Sequence, residues 1–182
     1  MKKEFETQIL DLDVDEAKNK LRKLGAIEEP EIFQRRWVFD IDPCTDTHIG
    51  EWIRLRQAGD NRPIITYKKK VGKGMSDTSE IEIETDDFDK TAEILSKVPF
   101  KGKYYQENKR HKFKYLNIEF VFDTWPKIPT IMEIEAKSED KVRQGLNILG
   151  LTGKDAGHIG TISIYRHYGI DLHSFNELKF EG

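Results

Sequence analysis

KEFETQIL, residues 3–10, is the stretch whose reading decides the fold. Successive side chains of a β-strand point to opposite faces. Taken as a strand, these residues set Glu4, Glu6 and Gln8 on one side and Phe5, Thr7 and Ile9 on the other. The same sorting returns along the chain. EWIRLRQ (51–57) opposes Arg54 and Arg56 to Ile53 and Leu55, and IITYKKK (64–70) aligns Thr66, Lys68 and Lys70. SEIEIET (79–85) aligns Glu80, Glu82 and Glu84 against Ile81 and Ile83, and IMEIEAK (131–137) aligns Glu133 and Glu135 against Met132 and Ile134. A long pair of strands, 103–115 and 118–125, turns at Leu116-Asn117 and contributes Gln106, Asn108, Arg110, Glu119 and Asp123. Another strand spans 32–41.

Any one of these segments also reads as an ordinary amphipathic strand with a solvated polar face. Two features of the whole set favour another reading. Charges are sorted by sign within each strand, and several amphipathic helices need an apolar surface to cover. Helices are expected over 13–25, with an apolar stripe of Val14, Ala17, Leu21 and Leu24, and over 86–98, with Phe88, Ala92, Leu95 and Val98. Ser138 opens a third helix to 150, and a fourth runs over about 161–168. Sequential, hairpin-linked strands with helices between them predict an α+β fold, mainly antiparallel β, with the helices packed outside a sheet or barrel. If the helices cover the outer face, the polar faces line an interior. Crowded carboxylates there need a cation, and clustered Arg and Lys need an anion. Mg²⁺ or Mn²⁺ suits the first and phosphate oxygens suit the second. A polyphosphate carrying its own metal satisfies both.

Size and composition bound the alternatives. The chain of 182 residues is long enough for one domain, expected over 1–182 with a core at about 3–170 and a short extension at 171–182. A formal net charge of −3 gives no basic field, so no specific nucleic-acid partner is expected. Cys44 is the sole cysteine, no apolar run is long enough to span a membrane, and the start has no signal-peptide core. A cytoplasmic protein is expected. Neither a Ser-His-Asp nor a Cys-His arrangement calls for covalent catalysis. The five histidines lack zinc-like spacing and read as structural or surface groups, and Trp37, Trp52 and Trp125 read as core or rim.

The ordered series of Glu4–Gln8, Ile53–Arg56, Thr66–Lys68, Glu80–Glu82, Arg110, Phe122–Asp123 and Glu133–Glu135 resembles the CYTH family, also called triphosphate tunnel metalloenzymes. The resemblance runs from Glu4 to about Gly169, and Phe122–Glu139 is similar to members that are class IV adenylate cyclase-like. It implies an eight-stranded closed antiparallel barrel, a tunnel with a charged interior and helices outside. It implies Mg²⁺- or Mn²⁺-dependent hydrolysis of inorganic triphosphate, a nucleoside triphosphate or thiamine triphosphate. The alternatives are cyclisation of ATP to cyclic AMP and pyrophosphate, or a non-catalytic polyphosphate- or nucleotide-binding module. By position, Glu4, Glu6, Asp123, Glu133 and Glu135 would hold metal, and Arg54, Arg56, Lys68, Lys70, Arg110 and Gln8 would bind phosphate. Glu80 and Glu82 would complete the charge network, with Glu4, Glu6, Arg56, Lys68 and Glu135 as the catalytic set. A homodimer is compatible with the resemblance. One position departs from the family's ExExK hallmark: Gln8 stands where the lysine would be, and an amide brings no positive charge.

Overall fold

Local signals set the ends of the elements. Asp13 caps the first helix by accepting from the Glu16 amide at 2.9 Å, and Asp87 and Ser138 cap the second and third through the amides of Lys90 and Lys141. In chain order the elements are β1 (Phe5–Ile9), α1 (Val14–Lys23), β2 (Ile27–Glu28), β3 (Ile32–Asp42), β4 (Ile49–Ala58), β5 (Ile64–Val71) and β6 (Thr78–Glu84). They continue with α2 (Phe88–Ser96), β7 (Gly102–Tyr115), β8 (Ile118–Thr124), β9 (Ile131–Ala136), α3 (Glu139–Leu149) and α4 (Thr161–His167). A 3₁₀ turn at Leu172–Ser174 and β10 (Glu177–Leu178) close the series. This computed structural model describes residues 5–42, 49–71, 78–157 and 159–181. Among them, no helix is long and apolar enough to cross a membrane.

The chain gathers into two compact units, one of Lys2–Ile32 with Lys109–Leu172, the other of Phe33–Asn108 with His173–Gly182. In the first, here the 109–172 unit, strands pair in the order β1-β9-β8-β7, all antiparallel. Leu116 and Asn117, at φ 50° and 60°, form the two-residue turn between β7 and β8. One face of this ladder is apolar: Phe113, Phe120, Phe122, Met132 and Ile134 pack with Ala17 and Leu21 of α1 and Val142, Leu146 and Leu149 of α3. The approach of α3 is close. A Cβ added at Gly145 would stand 2.7 Å from Ile134 Cγ2, so glycine is what fits there.

In the second, the 33–108 unit, the order is β7-β3-β4-β5-β6, with β3-β4, β4-β5 and β5-β6 antiparallel and β10 parallel to β7. Phe39, Leu55 and Phe88 form its core, with Trp37, Ile53, Ile65, Ala92 and Leu95 against them, so α2 covers one face of β3 to β5. Strand β7 lends its second half to the first unit and its first half to the second.

The α+β character and the mainly antiparallel pairing match the sequence reading. Closure does not follow from the pairing: β1 and β6 end the ladder, and no hydrogen bonding among the described residues joins them. Two expected stripe residues also differ. Leu24 and Val98 lie beyond the last helical residues and are exposed, because their helices stop at Lys23 and Ser96.

Candidate functional site

In the 109–172 unit the face opposite α1 and α3 is polar. Pairing sets Glu6 opposite Glu135, Glu135 opposite Glu119, and Gln8 opposite Glu133. Directly opposed residues share a face, so the alternation of Glu6, Glu133 and Glu135 converges. Their carboxylate oxygens lie within 4.8 Å of one another. Burial and the neighbouring Glu6 push the Glu133 carboxyl up to about 8, against the pull of Arg110. Such a group is under-neutralised, and three carboxylates at this spacing fit a hard divalent cation.

Arg110 lies on the same face. It forks onto Asp123, Nε to Oδ1 at 2.9 Å and Nη2 to Oδ2 at 2.5 Å, with Glu133 Oε1 at 3.8 Å. Burial alone would lower its pKa, but Asp123, Glu133 and Glu135 raise it. Asp123, read from sequence as a metal ligand, receives the Arg110 fork, and its charge raises the Glu133 pKa. Gln8 is buried at 2% exposure. Its Nε2 faces Glu6 Oε1 at 3.5 Å and Glu133 Oε2 at 3.4 Å, and its Oε1 accepts from the Ile159 amide at 2.8 Å. Glu4 lies outside the described residues.

In the 33–108 unit the face opposite α2 carries rows of cations. Arg36 pairs with Arg56, Arg54 with Thr66 and then Glu82, and Lys68 with Glu80. Lys68 Nζ donates to Glu80 Oε1 at 2.6 Å, and Thr66 Oγ1 donates to Glu82 Oε1 at 2.7 Å while Arg54 Nη2 lies 3.9 Å from that oxygen. Burial, then the charge of Arg54, lowers the Lys68 pKa against the pull of Glu80. Lys70 is buried beside Gly50 and Thr78 in the pairing. Sequence reasoning missed Arg36, which donates to Asn108 and Gln34. The alternation Gln34, Arg36, Val38, Asp40 in β3 was the available signal. Asp40, also buried, has its pKa raised by burial, with His173 Nε2 at 3.9 Å.

The sequence also singles out the histidines and tryptophans. His111 and His167 stand beside Glu28 and Asp11, and His48 and His158 lie outside the described residues. Trp37 packs on Phe39 and Trp125 on Tyr165, whereas Trp52 sits between Asp40 and Lys68 in the pairing.

A family model described as the CYTH domain matches residues 2–151. A search of curated proteins finds no match. Among solved structures, the PH1012 protein of Pyrococcus horikoshii OT3 is similar at TM-score 0.70 and 21% identity, covering 86% of this chain and 96% of its own. A candidate adenylate cyclase from Vibrio parahaemolyticus is similar at 0.66 and 13%, covering 90% and 97%. A candidate adenylyl cyclase from Hippeastrum, described as revealing a dominant triphosphatase activity, is similar at 0.57 and 15%, covering 91% and 95%. At these identities the likeness is one of fold.

Proposed function

We propose, from the premise that this chain belongs to the CYTH domain family, that it hydrolyses a triphosphate-containing substrate with the help of Mg²⁺ or Mn²⁺. The observation that carries this reading is the convergence of the Glu6, Glu133 and Glu135 oxygens within 4.8 Å. The cation rows support it. A triphosphate travels with a divalent cation, so a carboxylate group suited to the cation and rows of Arg and Lys suited to the anion each agree with this substrate class.

Glu6, Glu133 and Glu135 would hold the metal, and Glu4 is proposed to join them. When bound, the metal would neutralise phosphate oxygens and make a bound water more acidic. The protein's own part is positioning and charge. Arg54, Arg56, Lys68 and Lys70 bind the phosphate oxygens, with Arg36 opposite Arg56 in the pairing. As water attacks the terminal phosphorus and the bond to the leaving diphosphate breaks, these cations absorb the charge that develops on it. Glu80 and Glu82 pair with Lys68 and Arg54, at 2.6 and 3.9 Å. Arg110, bound by Asp123, sets the charge beside Glu133.

Cyclisation of ATP is the second reading, carried by the fold relative from Vibrio parahaemolyticus described as a candidate adenylate cyclase. The relative from Hippeastrum puts hydrolysis first. Product analysis separates the readings. Incubation with ATP and Mg²⁺ or Mn²⁺ is expected to release orthophosphate. Cyclic AMP with pyrophosphate would replace this reading by the second, and binding without any product would leave a non-catalytic module.

A further inference from the structure

Gln8 stands at the position where the family hallmark has a lysine, and its surroundings account for the amide. Three groups approach it, and they fix its orientation. The Ile159 N–H can only donate, so the atom facing it at 2.8 Å is the carbonyl Oε1. The NH₂ group therefore faces Glu6 at 3.5 Å and Glu133 at 3.4 Å, where its two hydrogens serve one carboxylate each. The flipped amide would set N–H against N–H on one side and oxygen against two carboxylates on the other.

The same residue anchors a segment of main chain. The Gln8 amide donates to Gly157 O at 3.1 Å, and the Ala156 amide donates to Gln8 O at 2.8 Å. Next to it, Thr7 Oγ1 donates to Asp155 Oδ2 at 3.1 Å. Residues 155–157 thus dock along β1, and the Gln8 side chain joins the Ile159 main chain to two members of the carboxylate group. A lysine could face the carboxylates but has no acceptor for the Ile159 N–H.

We infer that Gln8 is a positioning residue, whose amide ties the Ile159 main chain to Glu6 and Glu133 and so sets the spacing of the carboxylates for a divalent cation. Gln8 then acts through the carboxylates and does not itself take a phosphate. This inference rests on the proposed metal-dependent reading of the same carboxylates. Groups that orient metal ligands typically change metal affinity by about 10- to 100-fold when removed.

The test uses the full chain as wild type, Q8K, Q8M and Q8E, each checked for folding by circular dichroism. Two quantities are read: exchange of the Ile159 amide by NMR, and the Kd for Mn²⁺ alone by electron paramagnetic resonance. Q8M and Q8K lack the acceptor, so Ile159 is expected to exchange at least about tenfold faster and Mn²⁺ to bind about tenfold more weakly. Q8E keeps an acceptor oxygen and is expected to keep Ile159 protected. Faster exchange with Mn²⁺ affinity within twofold of wild type would reduce Gln8 to a structural residue and overturn the inference. Unchanged Ile159 exchange in Q8M and Q8K would overturn it as well. Failure of the wild type to bind Mn²⁺ would instead remove the metal reading itself, so the two failures are distinguishable.

Discussion

Replacing Glu133 by Gln should change how stability depends on pH. Burial and Glu6 push the Glu133 carboxyl up to about 8 in the fold, whereas in the unfolded chain it returns to the ordinary value of 4.5. Between those values the folded chain keeps a proton that the unfolded chain has released. Fewer protons bound in the unfolded state mean that stability falls as pH rises. The contribution is complete below about 4.5 and is lost as pH climbs to about 8. One proton limits the slope to about 1.4 kcal/mol per pH unit. For a chain of this length that corresponds to roughly 3–5 °C in Tm per pH unit. The assay is thermal denaturation at pH 5, 6, 7 and 8 in EDTA, with wild type and E133Q side by side. The wild type is expected to lose stability across the series, and E133Q, which carries no titrating group there, to follow a flatter line. Saturating Mn²⁺ is expected to flatten the wild-type line too, because a cation keeps the carboxylate ionised. Parallel slopes for the two proteins in EDTA would refute the reasoning.

Three other perturbations probe separate parts of the account. E135A removes one of the three converging carboxylates, and is expected to abolish metal-dependent turnover while circular dichroism stays native; full activity would argue against the assigned group. R56A is expected to weaken inorganic triphosphate binding by roughly tenfold to a hundredfold, the loss of one charge-assisted bond of about 1.5–3 kcal/mol, while orthophosphate binding changes far less in calorimetry. G145A places a Cβ against Ile134 Cγ2, and overpacking of this kind is expected to cost about 1–3 kcal/mol, seen as a lower Tm; an unchanged Tm would mean that α3 shifts freely on β9.

Much of this architecture is written in alternation. Strands with ExE and RxR patterns lie where those patterns stand, because one face of each is buried under a helix and a one-residue slip would reverse it, whereas the ExExE strand β6 leaves Ile81 and Ile83 exposed. The two-residue turn at Leu116-Asn117 carries further information. It fixes the β7-β8 register, and that register sets Arg110 opposite Asp123. The fork between them was thus readable from the turn, although position in the family resemblance assigned one to phosphate and the other to metal. What sequence did not reveal are features held by neighbours. Strands β2 and β10 have two residues each and no periodicity, and they exist because β7 offers a pairing edge. Residues 155–157 and Ile159 lie in no helix or strand, so their docking on β1 leaves no pattern, and the acceptor role of Gln8 stays hidden without it. Leu24 and Val98 fit a helical period, but their helices end before reaching them.

The most direct measurement is a ³¹P NMR time course of inorganic triphosphate with the protein and Mg²⁺. The account predicts that the triphosphate signals give way to orthophosphate and pyrophosphate in equal amounts, and that EDTA stops the conversion. A spectrum that stays unchanged with Mg²⁺, or a conversion that proceeds equally in EDTA, would contradict it.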